Sequence, residues 1–369
     1  MYLTDKFKGL RFVGVAALTL IFLLLGTAGS RGEAGVAPPL KIGFIFVGPI
    51  SDKTWNYTHN QGRLFVESKL SNKVQTTFAE NVPESAEAER VMERMIAQGA
   101  RLIFATSYGY LEPVLHVAAR HPEVKFLQVN RFENRKNLGT FFFLDFEPMY
   151  AAGVVAGRLT KTNQIGFVGL QPVPQLLQEI NALALGARSV NPKAKVRVIW
   201  TNNWNDAPTE TEVARTLIEG GADTIAFYRM ALAKTVDARG AYIIGCDSDF
   251  RSLSGQHWLT GTLIDWGPFY ASVAQAVLDG TWKSGISVCG AQGGNVKLAS
   301  FGSAVPKKVQ DEAHAIMQKV ETGNLAIFEG PLKDRDGNER LHAGERPDVK
   351  WLFSMDFFVP GVEGNLPKK

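Results

Sequence analysis

Lys41-Ile-Gly-Phe-Ile-Phe-Val47 reads as the first apolar strand of the chain, and the loop after it carries Trp55-Asn56-Tyr57. Large aromatics belong in cores, so their place in a loop asks for a reason. In an α/β layout the loop at the carboxyl end of a strand is where ligands bind, and aromatics there suggest a platform for a flat molecule. Short β-rich apolar runs recur at 74–79, 101–106, 124–129, 164–170, 195–200, 223–228 and 241–246. Between several of them lie helical stripes, one of Val91, Met92, Met95 and Ile96, another of Leu176, Leu177, Ile180, Leu183 and Ala187. Such alternation predicts an α/β protein with parallel sheets and helices on both faces.

The alternation breaks once. A strand, Gly139-Thr-Phe-Phe-Phe-Leu144, runs into a small-residue helix, Tyr150-Ala-Ala-Gly-Val-Val-Ala-Gly157. Its small face predicts tight packing of the helix on a sheet. A second α/β set begins at Gln164, which implies two similar lobes joined by short crossovers. Beyond about 282 the pattern is less regular, with a strand expected at 296–300, a helix at about 306–321, and a hairpin turn in Lys333-Asp-Arg-Asp-Gly-Asn338.

At 369 residues the chain can hold two domains, and its 45% apolar and 21% charged residues are ordinary for a folded protein. Residues 1–34 read as a cleaved export signal: Lys6, Lys8 and Arg11 precede the apolar run Phe12 to Leu25, and cleavage is expected at Gly32-Glu33-Ala34 or Gly26-Thr27-Ala28. The alternative, an uncleaved anchor, asks for a longer run of about 20 residues. The first Cys is Cys246, so no lipidated N-terminal Cys is expected and the destination is a soluble periplasmic protein. Without 1–34 the chain keeps 36 Lys and Arg against 34 Asp and Glu, net +2. That balance argues against nucleic acid as a partner, which would need clustered positive charge. Export permits a disulfide between Cys246 and Cys289, but two free thiols are the expectation.

The common catalytic and phosphate-binding motifs are missing, and the six histidines are scattered. No nucleophile is paired with a base, and no metal site or cofactor is expected. Asp247-Ser-Asp249 lacks the Gly and Glu of a calcium loop. Aromatics and hydrogen-bonding groups instead recur just after strands. Asp52, Trp55, Asn56, Tyr57 and His59 follow the first; Asn130, Arg131 and Phe132 the fourth; Asn202, Asn203, Trp204 and Asp206 follow 195–200. Tyr228-Arg229, then Asp247 and Asp249, then Asp265-Trp266 follow later runs. All would face one interlobe cleft. Bland readings stand beside these: Asp206 as a helix cap, Trp266 as a packing staple, and Arg229 as a buried charge paired with Asp247 or Asp249. Two aromatic walls with polar edges suit a planar heteroaromatic ligand, and a sugar would also stack on Trp.

These residues resemble a known family. Gly43-Phe-Ile-Phe-Val-Gly-Pro49 with Trp55-Asn56-Tyr57, Phe126-Leu-Gln-Val-Asn130, Tyr150 to Gly157, Gly186-Ala-Arg-Ser-Val-Asn-Pro192, Trp204-Asn-Asp206 and Trp266-Gly-Pro-Phe-Tyr270 are similar to the basic membrane protein family of substrate-binding proteins. The resemblance implies a type I periplasmic binding protein fold, two doubly wound parallel-sheet lobes joined by a hinge, serving an ABC importer for purine bases or nucleosides. It places 40–160 plus about 250–285 in one lobe, and 161–249 plus about 286–369 in the other with a C-terminal extension. It also implies that Trp55 and Trp204 sandwich the base. Asn130 stands where nucleoside binders carry an Asp that reads the base, and Asp247 or Asp249 where they have an acidic ribose contact.

Several positions depart from that pattern. The Cys of the lipoprotein members is missing, no Lys lies in Thr260 to Ile264, and Arg229 stands where a small or acidic residue is usual. The expected ligand site is Trp55, Asn56, Tyr57, Asn130, Trp204, Arg229, Asp247, Asp249 and Trp266. The expected partners are a purine-like small molecule and an inner-membrane ABC permease, with the protein monomeric and without enzymatic activity. A ligand-sensing receptor module of the same fold, a sugar-binding protein and an exported nucleoside hydrolase are the alternatives.

Overall fold

A computed structural model describes residues 38–366, so the export signal read at 1–34 lies outside the described residues. In chain order the first set of elements is β1 (Leu40–Ile45), α1 (Trp55–Leu70), β2 (Val74–Ala79), α2 (Ala86–Ala97), β3 (Leu102–Ala105), α3 (Leu111–Arg120), β4 (Lys125–Val129), β5 (Leu138–Phe143) and α4 (Phe146–Leu159). The second is β6 (Gln164–Gly169), α5 (Pro174–Val190), β7 (Lys195–Trp200), α6 (Ala207–Glu219), β8 (Thr224–Phe227), α7 (Leu232–Asp237), β9 (Tyr242–Gly245) and β10 (Trp258–Ile264). Then follow α8 (Gly267–Leu278), β11 (Ile286–Cys289), β12 (Val296–Leu298), α9 (Lys307–Glu321), β13 (Leu332–Lys333), β14 (Glu339–Leu341), α10 (Val349–Phe353) and β15 (Val362–Glu363).

Two large sheets result, in the orders β11-β5-β4-β3-β1-β2 and β12-β10-β9-β8-β6-β7-β15. Every pair in the first is parallel, and in the second only β12 runs antiparallel to its neighbour. Central strands such as β3 and β8 are buried along their whole length, as helix-covered parallel strands must be. Each sheet reverses its winding between its first two strands of like order, β1 and β3 in one, β6 and β8 in the other. Those switch points are where an open α/β sheet leaves a crevice.

Two stretches differ from the lobe division expected from sequence. Trp258–Ile264, placed with the first lobe, continues the second sheet beside β9, and Trp258 is buried in that sheet's core. Ile286–Cys289, placed with the second lobe, returns to pair with β5 in the first sheet. Between them α8 packs on α1. The chain therefore passes between the sheets three times: after β5, between β10 and α8, and between β11 and β12. The two thiols end on different sheets and both are free.

The small-residue helix also packs differently from expectation. Its glycines meet a helix, α5, rather than a sheet: a Cβ on Gly153 would lie 2.3 Å from the Leu183 carbonyl oxygen, and one on Gly157 2.4 Å from that of Ala187. From the other side, a Cβ on Gly186 would lie 2.0 Å from the Tyr150 carbonyl oxygen. Backbone thus touches backbone where α4 and α5 cross, which only residues without a side chain allow.

The region after about 290 lies against both sets of elements. Gln178 on α5 donates to the Leu352 carbonyl (2.7 Å), and Asn181 donates to Phe357 (3.0 Å) while accepting from the Val359 amide (3.0 Å). Phe353 meanwhile packs on Phe142 of β5, with ring centroids 4.5 Å apart. The hairpin read at Lys333–Asn338 forms between β13 and β14, with Gly337 at φ +90° in the turn.

Candidate functional site

The carboxyl ends of both sheets face one cavity, part of it open to solvent. Its rim begins with the loop after β1. Asp52 accepts from the amides of Thr54 (2.9 Å), Asn56 (3.0 Å) and Tyr57 (3.0 Å), and so neutralises the exposed donors at the start of α1. The same carboxylate takes the Asn56 side-chain amide at 2.6 Å, while Asn56 Oδ1 accepts from the Gly48 amide. Trp55 therefore enters the cavity on a fixed backbone. Its Nε1 donates to the Thr106 carbonyl at 2.7 Å, and its ring is backed edge-on by His59 and Trp266, with centroids 4.5 and 5.3 Å away.

Facing elements come from the second sheet. Trp204, after β7, lines the cavity and donates across the cleft from Nε1 to Glu84 Oε2 at 3.1 Å. Glu84 is itself fixed by the Ser107 hydroxyl and the Gly109 amide. Asp206 caps α6, accepting from the Thr209 amide, so the cap reading holds there. Arg229 also lines the cavity, but its partner is neither Asp247 nor Asp249. Glu210 on α6 reaches it at 2.7 Å, and Asn205 accepts from the same nitrogen at 2.9 Å. Burial raises the Glu210 carboxyl above its ordinary range, and the guanidinium partly restores the charged form.

At the floor a chain of side chains joins both halves. Asn130, at φ +54°, donates through Nδ2 to Gln175 Oε1, and Gln175 Nε2 donates to Asp145 Oδ2. Behind Gln175, Asp145, Glu179 and Asp247 are all buried, and they can present oxygens within 4.8 Å of one another. Burial drives all three carboxyls up, Asp145 to about 7. Neighbouring negative charge raises Glu179 and Asp247 further. None of the three belongs to a salt bridge among the described residues. The Tyr228 hydroxyl faces Glu179, and its hydrogen bond offsets part of the effect of burial on that carboxyl.

Of the residues expected at the site, Trp55, Asn56, Asn130, Trp204, Arg229 and Asp247 line this cavity. Tyr57, Asp249 and Trp266 do not. Tyr57 lies under Lys53 on the α1 surface, and Asp249 is held by Arg251 at 2.8 Å. Trp266 is buried, donating to the Thr58 hydroxyl and stacking on His59, so it acts as backing for Trp55. His59 is enclosed with it, bonded to the Tyr270 hydroxyl at 2.6 Å and kept neutral by burial. Sequence reasoning passed over Asp145, Gln175, Glu179 and Glu210. Gln175 and Glu179 sit inside the apolar stripe of α5, where a buried Glu at the start of a helix after a strand end was the available signal.

Residues 40–330 match the family described as ABC transporter substrate-binding protein PnrA-like. The chain is 40% identical to a purine-binding protein of Brucella abortus, over 91% of this chain and 97% of that protein. It is 30% identical to a putative ABC transporter glucose-binding protein of Haloferax volcanii, over 93% of this chain and 84% of that protein. In fold it is similar to an ABC transporter solute-binding protein of Aeropyrum pernix, with a TM-score of 0.68 at 18% identity, covering 78% of this chain and 93% of that one. The chain belongs to the PnrA-like family of ABC transporter substrate-binding proteins.

Proposed function

We propose that this PnrA-like substrate-binding protein takes a purine, as free base or nucleoside, into the cleft between Trp55 and Trp204 and presents it to an ABC permease. The observation that supports the reading is that both indoles line one cavity from loops of different sheets, each held through Nε1, with Asn56 and Asn130 in the same lining. Stacking of a base on an aromatic side chain contributes about 1–3 kcal/mol, and the amides can read ring nitrogens and exocyclic groups. The 40% identical relative is named a purine-binding protein, which favours the same ligand class here. In this reading the protein is exported by segment 1–34, acts as a monomer outside the cytoplasm and catalyses nothing. Among the described residues no helix is long and apolar enough to cross a membrane.

The test is mass spectrometry of whatever small molecule leaves the purified protein on denaturation, with thermal shifts for adenine, guanine, hypoxanthine, adenosine, inosine and glucose. A purine released or stabilising is expected; stabilisation by glucose alone sinks the reading. Trp55→Ala and Trp204→Ala should each weaken purine binding roughly 5- to 150-fold, the equivalent of about 1–3 kcal/mol of stacking. Unchanged affinity in both variants would remove the sandwich.

A further inference from the structure

The two indoles that line the cavity are held in different ways. Trp55 donates to the Thr106 carbonyl, which follows β3, the neighbour of β1 in the same sheet. Its wall therefore stands wherever the second sheet is. An indole has one N–H to give, and that of Trp204 goes to the other sheet's side of the cleft, to Glu84 Oε2 at 3.1 Å in the loop between β2 and α2. The rest of the Trp204 loop is tied at home: the Asn205 amide donates to Asn203 Oδ1 (2.9 Å), and Asn205 Oδ1 accepts from Arg229.

Glu84 is seated for this contact. Its loop is fixed to the end of β1, with the Asn81 amide donating to the Gly48 carbonyl (3.3 Å) and the Val82 amide to that of Phe46 (3.0 Å). Oε1 accepts from the Ser107 hydroxyl (2.6 Å) and the Gly109 amide (2.7 Å), which leaves Oε2 for the indole. Gly109 makes the seat possible, since a Cβ there would lie 2.5 Å from the Glu84 carboxyl carbon. Ser107, Tyr108 and Trp204 line the cavity, and Glu84 stands behind them.

We propose that Glu84 is a closing latch, a positioning residue outside the cavity whose carboxylate takes the Trp204 N–H only when the loops of the two sheets meet. The inference rests on the reading of Trp55 and Trp204 as the walls around the ligand, and it gives their action an order. A ring settles first on Trp55, whose position is fixed; the loops then meet, and the latch holds Trp204 over the ring. A molecule enclosed between the two indoles leaves only after those loops part. The bond is made after arrival and broken before departure, so it sets the rate of release and leaves the rate of arrival alone. At the lower end of the range for a charged acceptor, such a bond is worth about tenfold in a rate constant.

The experiment is stopped-flow measurement of kon and koff for adenine, inosine and glucose with the wild type, Glu84→Gln, Trp204→Phe and the double variant. Gln keeps an oxygen for Ser107 and Gly109 but turns its amino group toward the indole, donor against donor. In Glu84→Gln, koff should rise about tenfold while kon stays within about twofold. Trp204→Phe keeps a ring and loses the N–H, so in that background the same change at Glu84 should move koff by less than about twofold. In a Trp55→Phe background it should still raise koff about tenfold, because Trp55 bonds Thr106 instead. An unchanged koff in Glu84→Gln overturns the latch, whether or not the ligand-free melting temperature falls. So does a rise that persists with Trp204→Phe, since Glu84 then acts through Ser107 and Gly109. Both results leave the purine reading intact if adenine or inosine binds the wild type. The expected coupling with glucose alone supports the latch and sinks the purine reading, and binding of none of the three removes the clamp and the latch together.

Discussion

Replacing Arg229 by Met separates two roles that its position allows, a structural counter-ion and a ligand contact. Both Nε and Nη2 reach Glu210 Oε1, at 2.9 and 2.7 Å. The Glu210 side chain is 1% exposed and that of Arg229 13%. Removing one member of a buried pair typically costs about 3–5 kcal/mol, because the survivor keeps its charge without compensation. Protonation of Glu210, whose carboxyl is already raised by burial, limits the loss toward the lower figure. Replacing both members by apolar side chains of similar volume is often neutral, so the double variant Arg229→Met with Glu210→Met should return to within about 1 kcal/mol of the wild type. Urea denaturation at pH 7.5 of both singles and the double gives the coupling energy directly. Titration of the double variant with the purine found to bind then reads the second role: if the guanidinium touches ligand, affinity stays low although stability has recovered. A double variant as unstable as Arg229→Met alone would refute the pairing argument, as would a single variant within about 1 kcal/mol of the wild type.

Gly186→Ala should lower the melting temperature by several degrees in a thermal scan, since its methyl would sit 2.0 Å from the Tyr150 carbonyl oxygen and two helix backbones must part, an overpacking cost of about 1–3 kcal/mol; an unchanged melting temperature means that α4 and α5 are free to slide. The ligand-free protein should lose stability as pH rises from 5 toward 8. Asp145 and Glu147 are raised to about 7, and burial also lifts Glu179 and Asp247 well above the usual carboxylate range, so the native state binds more protons than the unfolded chain in that window. His59 has the opposite sign, because its depressed pKa favours the folded state above the unfolded value and loses that stability on acidification. Comparing melting temperatures of the wild type and Asp145→Asn across pH isolates the carboxyl part, which should be flatter in the variant.

The central strands were legible because parallel sheets bury both faces: the runs 101–106 and 223–228 hold β3 and β8, each buried along its whole length. Helix starts with a chemical cap were legible too, as at Asp206. What the chain pattern could not convey was which sheet a late strand joins. Trp258–Ile264 and Ile286–Cys289 carry similar β-rich compositions, and only the three crossings of the chain assign them to opposite sheets. At the site, residues announced by an unusual position, such as a Trp in a loop, were found. Glu179 and Gln175 were hidden because helical periodicity assigns polar residues to an outer face. Here α5 is covered on several sides, by α4, by the second sheet and by the C-terminal region, so it has little outer face. Trp266 shows the converse. Its position beside Gly267-Pro268 after a strand matched both readings, and a buried indole bonded to Thr58 is the packing one.

The floor and the rim of the cleft are linked through one amide. Gln175 has a single carbonyl and a single amino group to offer, and an ionised Asp145 accepts only the amino group. Gln175 must then turn Oε1 toward Asn130, as it does, and Asn130 must answer with its own Nδ2. That leaves Asn130 Oδ1 as the atom available to the cavity, an acceptor, which is what a carboxylate at the same place would present. Under the proposed purine reading, an amide at 130 in place of the acid keeps the preference for a donor edge, a ring N–H or an exocyclic amine, and gives up only the charge. Protonation of Asp145 releases the constraint, because a protonated carboxyl can donate to Oε1 and let the whole relay turn over. Under the proposed purine reading, the edge that Asn130 prefers therefore follows the charge state of Asp145.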